Sequence, residues 1–93
     1  MAEKSIQEEK NMEQPAIGRI ALFKLLEKED RPFLITKVWN ELTVNGIVFL
    51  DGWNDSAIGG TPATGGTLWK TSVPRGHEVG QWRFWNDEKT EAA

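Results

Sequence analysis

His77 is the chain's one histidine. It sits in a turn between Gly76 and Glu78, with no acidic residue at metal-ligand spacing and no second imidazole. Catalysis needs partners that it lacks, so an ordinary surface histidine is the better reading. Ser56 and Ser72 have no nucleophile-elbow context. Asp51, Asn54 and Asp55 loosely resemble an oxygen-ligand loop. They lack the spacing and the terminal glutamate of an EF-hand, so they read as turn formers. Asn54-Asp55-Ser56 is a glycosylation sequon without an export signal. Gly60-Thr61-Pro62-Ala63-Thr64-Gly65-Gly66-Thr67 falls short of a phosphate loop: Gly66 stands where lysine is required, and no helix follows. Cysteine is absent, which excludes disulfides and thiolate metal sites. The expectation is no enzyme, no cofactor and no metal.

The tryptophans are more informative. There are five, with four phenylalanines and no tyrosine, in 93 residues. Trp39, Trp69 and Trp82 can each serve a core, since a small domain needs large apolar side chains. Five indoles exceed what one small core encloses, so at least two are expected at the surface or an interface. Trp53 lies in a polar loop, and Trp85 shares a strand face with Arg83. Exposed indoles interleaved with Lys70, Arg75 and Arg83 suit stacking on bases and pairing with phosphates. The same surface suits a subunit contact.

The expected ligand site is therefore Trp69, Lys70, Thr71, Arg75, Arg83 and Trp85, with Arg19 as a further phosphate partner. It rests on residues 69–73 pairing antiparallel to residues 81–85, which would bring Lys70 near Arg83. Trp82 and Phe84 are assigned to the core or a subunit contact. The glycine loop with Trp53 is the second choice of site.

Short strands must position these residues. Residues 18–25 read as a strand, with a short helix as the competing assignment. The charged stretch 27–32 reads as a loop. Residues 33–40 are rich in β-branched and aromatic side chains and bounded by Pro32 and Asn40. Residues 42–50 follow, with Asn45-Gly46 either a hairpin turn or a bulge inside one long strand. Residues 51–66 form a long polar loop. Residues 67–73 are a strand ended by Pro74. Residues 80–85 are the last, with Trp82 and Phe84 on one face and Gln81, Arg83 and Trp85 on the other. The pattern predicts an all-β fold, a small antiparallel barrel or curled sheet of about five strands. Residues 1–15 are read as a flexible polar tail, disordered or weakly helical, with Met12 as an alternative start. Residues 16–86 are the single β domain, and 87–93 a frayed acidic tail.

The charge distribution limits the partners. The net charge is −3, with 27% charged and 39% hydrophobic residues. Residues 1–16 and 86–93 each carry −2 and residues 17–85 carry +1. A locally basic strand pair could meet a small anion but falls far short of tracking duplex phosphates. No stretch approaches the roughly 18 apolar residues of a membrane span. A chain this short buries a limited core, which favours a homo-oligomer.

Val44-Asn45-Gly46-Ile47-Val48-Phe49-Leu50-Asp51-Gly52-Trp53-Asn54-Asp55 and Leu68-Trp69-Lys70-Thr71-Ser72-Val73-Pro74 resemble two strands of a family of short phage-encoded proteins. That family opens with a Gly-Arg-Ile-Val-like strand, here Gly18-Arg19-Ile20-Ala21, and ends with Gly-Thr-Trp-His-Trp-Pro. The ending here is Gly80-Gln81-Trp82-Arg83-Phe84-Trp85, with arginine for histidine, phenylalanine for the second tryptophan and no proline. The family is in turn similar to anti-CBASS sponge proteins, which bind cyclic oligonucleotide immune signals inside a homotetramer without cleaving them. The resemblance implies a phage protein of the host cytoplasm that sequesters a small cyclic oligonucleotide and has no catalytic residues. The alternative is a phage structural or accessory protein, or an inhibitor, acting through protein–protein contacts.

Overall fold

The structure is a computed structural model that describes residues 13–59 and 66–87. Residues 1–12, 60–65 and 88–93 lie outside the described residues, and with them most of the glycine loop and of the two tails. Five strands follow in order: β1 (Ile20–Leu26), β2 (Glu29–Val38), β3 (Thr43–Phe49), β4 (Thr67–Pro74) and β5 (Trp82–Arg83). They form one antiparallel sheet with the spatial order β4-β3-β2-β1-β5. The first four strands are thus a meander, and β5 returns to the free side of β1.

The sheet is curled but not closed. Beyond β4, Arg75 makes a single parallel bridge to Trp82, and the Gly76 N–H donates to the Trp82 carbonyl at 2.8 Å. The Leu42 carbonyl accepts both the Arg75 N–H at 2.8 Å and the Trp82 indole N–H at 3.2 Å. One bridge, not a ladder, links the two ends of the sheet.

Alternation sorts the side chains onto two faces. The inner face carries Ala21, Phe23, Phe33, Ile35, Val44, Val48, Val73 and Trp82, all buried, with Leu25 and Phe84 completing the core. Phe23 packs on Phe33 with centroids 5.7 Å apart, and Trp82 meets Phe84 edge-on at 5.2 Å. Leu68 and Ile58 close over this face from β4 and from the short 3-10 helix Gly52–Ile58.

The expected strands all form, with shifted bounds. The stretch read as a charged loop is mostly strand: only Glu27 and Lys28 turn, and β2 begins at Glu29. Arg31 explains the difference. Its guanidinium is anchored to Asp55, so the charged residues before Phe33 are held in the ladder. Likewise residues 52–58 of the expected polar loop form the 3-10 helix. Asn45-Gly46 lies inside β3 and is not a hairpin turn. The irregularity is on its neighbours: β2 shifts register between Ile35 and Lys37, and β4 places both Thr71 and Ser72 opposite Asn45. The last strand keeps only two residues, although Trp82 and Phe84 are buried and Trp85 exposed as the alternation required.

Candidate functional site

The pairing that was to assemble the expected site does not form. β4 pairs with β3 and β5 with β1, so Lys70 and Arg83 lie on strands at opposite ends of the sheet order. Three of the expected phosphate partners are already engaged. Arg75 is almost wholly buried and grips Asp87 through Nε and Nη2, both at 2.8 Å, with its guanidinium 4.8 Å from the Trp82 ring centroid. Asp87, read as part of the frayed tail, is thus a structural anchor that also accepts the Phe84 N–H at 3.2 Å. Arg83 donates to both Asp30 oxygens at 3.2 and 3.1 Å. Those hydrogen bonds hold the Asp30 carboxyl below its usual range. Arg19 lies 4.7 Å over the Phe84 ring and pairs with Glu13. Arg75 and Arg83 hold the fold, and their partners Asp87 and Asp30 lie too far along the chain for local sequence to reveal.

A further ion pair fixes the inner face. Arg31 donates from Nε and Nη2 to Asp55 at 2.8 and 2.9 Å. The Asp51 N–H donates to the same carboxylate at 2.6 Å. Together they hold Asp55 well below the usual carboxylate range, and Asp55 and Glu29 raise Arg31 in turn. The 3-10 helix is therefore pinned to β2.

What stays open is the outer face. Ile20 pairs with Leu34, Leu34 with Ile47 and Ile47 with Trp69, so four apolar side chains form one row across four strands. Ile20 is 58% exposed and Trp69 62%, while Leu34 and Ile47 between them are half-buried. Leu22 and Pro32 pair beside this row, and Phe49 stands next to it on β3.

Asn45 organises the neighbouring part of that face. Its buried Oδ1 accepts three hydrogen bonds: from the Trp39 indole N–H at 2.9 Å, the Thr71 hydroxyl at 3.1 Å and the Ser72 N–H at 2.7 Å. Lys37 lies 4.5 Å over the Trp39 ring. Trp39 is 55% exposed yet fixed at its nitrogen and covered on one face by the ammonium group. Trp39 and Trp69 therefore both stand on the outer face, flanking Asn45 and Ile47. Sequence reading placed both indoles in a possible core; only Trp82 is buried, with Trp53 and Trp85 also exposed.

The chain matches no family model, no curated protein and no solved structure. The site must therefore be read from its own chemistry. Trp69, Lys70 and Thr71 are adjacent and exposed on β4. Alternation sends Trp69 to the outer face and Lys70, opposite Gly46, to the other. Among the described residues no three histidine, aspartate or glutamate side chains gather as a metal site. No helix among them is long and apolar enough to cross a membrane. The outer face offers apolar contact and two indoles; its charged groups are Lys37 at one end and the Lys24, Asp30 and Arg83 group at the other.

Proposed function

We propose that this chain is a non-enzymatic interaction protein that works through the outer face of its sheet, and that its ligand there is protein. The observation that carries this is the in-register row Ile20–Leu34–Ile47–Trp69, exposed at both ends, half-buried between them and outside the core throughout. Antiparallel sheets commonly bury one face and present polar residues on the other. An apolar row on the second face costs solubility and adds nothing to this core, which is the mark of an interaction surface. The indoles beside it are suited to anchoring such a contact, because Trp supplies large, rigid area.

The test uses bis-ANS, a dye that binds exposed apolar surface. Dilute folded protein is expected to bind it, and Ile47→Lys to bind much less while melting at the same temperature. No binding by the folded parent, or equal binding by the variant, would refute the docking reading.

A second reading is sequestration of a small cyclic oligonucleotide by a phage protein in the host cytoplasm, as an anti-CBASS-like sponge. It is favoured by one observation: Trp69, Lys70 and Thr71 are all exposed on one edge strand. Arg75 and Arg83, engaged with Asp87 and Asp30, do not support it. A thermal-shift screen with cyclic dinucleotides and trinucleotides separates the two. A ligand at a hundred times its dissociation constant should stabilise the fold by about 2.7 kcal/mol; the first reading expects a flat screen.

A further inference from the structure

Resting on the docking reading above, we propose that Asn45 and Lys37 recognise an acidic side chain of the docked protein, next to an apolar side chain seated on Ile47 and Trp69. The side-chain amide of Asn45 is the starting point. Two of the three groups bonded to its oxygen, the Trp39 indole N–H and the Ser72 backbone N–H, can only donate. They fix which end of the amide is oxygen and which is nitrogen. With the Thr71 hydroxyl as third donor, the oxygen is fully used. The amide nitrogen has no acceptor among the described residues. Asn45 is only 8% exposed, yet none of the buried side-chain nitrogens and oxygens among those residues lacks a partner. Its nitrogen therefore opens to the surface of the outer face, where Asn45 offers donors and no acceptor.

A site of donors selects an acceptor. A nucleobase edge that presents a donor beside an acceptor meets only half its match here, whereas a carboxylate accepts at both oxygens. Lys37 supplies the charge. It pairs with Asn45 across β2 and β3 and is exposed. Side chains directly opposite each other in such a pair have Cβ atoms about 4.5–5.5 Å apart. The Lys37 ammonium lies over the ring of Trp39, and the N–H of that ring is bonded to Asn45. Ammonium and amide thus stand together, and a hydrogen bond from the charged donor strengthens the hold on a carboxylate.

The apolar half follows from register. Ile47 lies two residues beyond Asn45 on β3, about 6.6 Å along the same face. It pairs with the exposed Trp69. An extended segment laid along β3 repeats that spacing in its own same-face side chains. Its apolar residue meets Ile47 and Trp69, and the acidic residue two positions away meets Asn45 and Lys37. The sheet curls until Arg75 bridges to Trp82, so the outer face is convex. A single segment follows one strand of a convex face and needs no flat plane.

Heteronuclear NMR of nitrogen-labelled protein tests this, with N-acetyl-Leu-Thr-Glu-amide as the probe and N-acetyl-Leu-Thr-Gln-amide as its neutral twin. At millimolar concentration the glutamate peptide should shift the Asn45 side-chain amide and the Trp39 indole N–H; the glutamine peptide should leave both nearly in place. Added salt should weaken the glutamate peptide. Lys37→Gln, at an exposed position, should melt like the parent and bind that peptide roughly two- to fivefold more weakly. Equal shifts from both peptides, or none from either, overturn the proposal, as does a Lys37→Gln protein that binds like the parent. N-acetyl-Leu-Thr-Gln with a free C-terminal carboxylate should bind no better than its amide; binding equal to the glutamate peptide's would overturn the assignment to a side chain. If neither peptide binds and bis-ANS does, only the acidic recognition is excluded; if bis-ANS fails too, the docking reading fails with it.

Discussion

The side-chain oxygen of Asn45 lies 2.7 Å from the backbone nitrogen of Ser72, which has a φ of 52°. Among the described residues Ser72 is the one non-glycine with a positive φ. Left-handed backbone at a non-glycine residue persists only where its surroundings hold it. Here a buried amide supplies that hold, and the same oxygen fixes Trp39 and Thr71. One side chain thus sets the β4 bulge and aims an exposed indole.

Asn45→Ala removes the acceptor from three donors at once. The expected cost is about 1–3 kcal/mol, because the Ser72 N–H is left without its partner. Urea denaturation measures it. Trp39 should also gain freedom, seen as a rise in the acrylamide quenching of its fluorescence.

Gly46→Ala should destabilise by a comparable amount, about 1–3 kcal/mol through overpacking. A Cβ there would stand 2.5 Å from Phe33 Cζ and 2.6 Å from the Leu34 carbonyl oxygen. Backbone on one side leaves the ring nowhere to concede without opening the β2–β3 ladder. Gly46→Ala melting like the parent would refute this packing.

The C-terminal ion pair should matter far more than its neighbour Trp85. Arg75→Ala leaves Asp87 without its guanidinium beside the core, and breaking such a buried pair costs roughly 3–5 kcal/mol. Trp82→Ala should cost roughly 3–5 kcal/mol through the cavity it opens. Trp85, 83% exposed, should be replaceable by alanine within about 0.5 kcal/mol. Guanidinium unfolding of the three variants gives the comparison.

Stability should fall in acid. Hydrogen bonds from Arg31 and the Asp51 N–H lower the Asp55 carboxyl below its ordinary 3.8, and those from Arg83 lower Asp30. A carboxyl lowered in the folded state stabilises above its unfolded value, and this contribution is lost as pH falls through the folded one. The melting temperature should be flat from neutral pH to about 5 and drop below about 4. Asp55→Asn should melt lower at neutral pH and show a shallower acid limb. An identical acid limb in the variant would count against this assignment.

Much of the fold was legible in the chain. Alternation in residues 82–85 separated the buried Trp82 and Phe84 from Arg83 and Trp85 because a strand's period of two needs no long-range information. Strand pairing was not legible. Nothing local says that residues 82–83 return to β1 rather than lying against β4, so the expected hairpin does not form and Lys70 is not brought to Arg83. Arg75 and Arg83 looked available because Asp87 and Asp30 meet them only after folding. Trp39 and Trp69 looked like core because an indole's hydrophobicity does not say which face of a sheet it takes. Asn45 carried a signal in its place inside a β-branched run, where a buried amide needs several partners.

The central claim is that the outer face is covered when the protein works, and Trp69 reports on it directly. In a variant with Trp39, Trp53 and Trp85 replaced by phenylalanine, emission comes from Trp69 and the buried Trp82. Adding bis-ANS to dilute folded protein should quench that emission by energy transfer and protect it from acrylamide, as the dye covers the exposed Trp69. Emission and quenching left unchanged by the dye would contradict the claim that this face is open for docking.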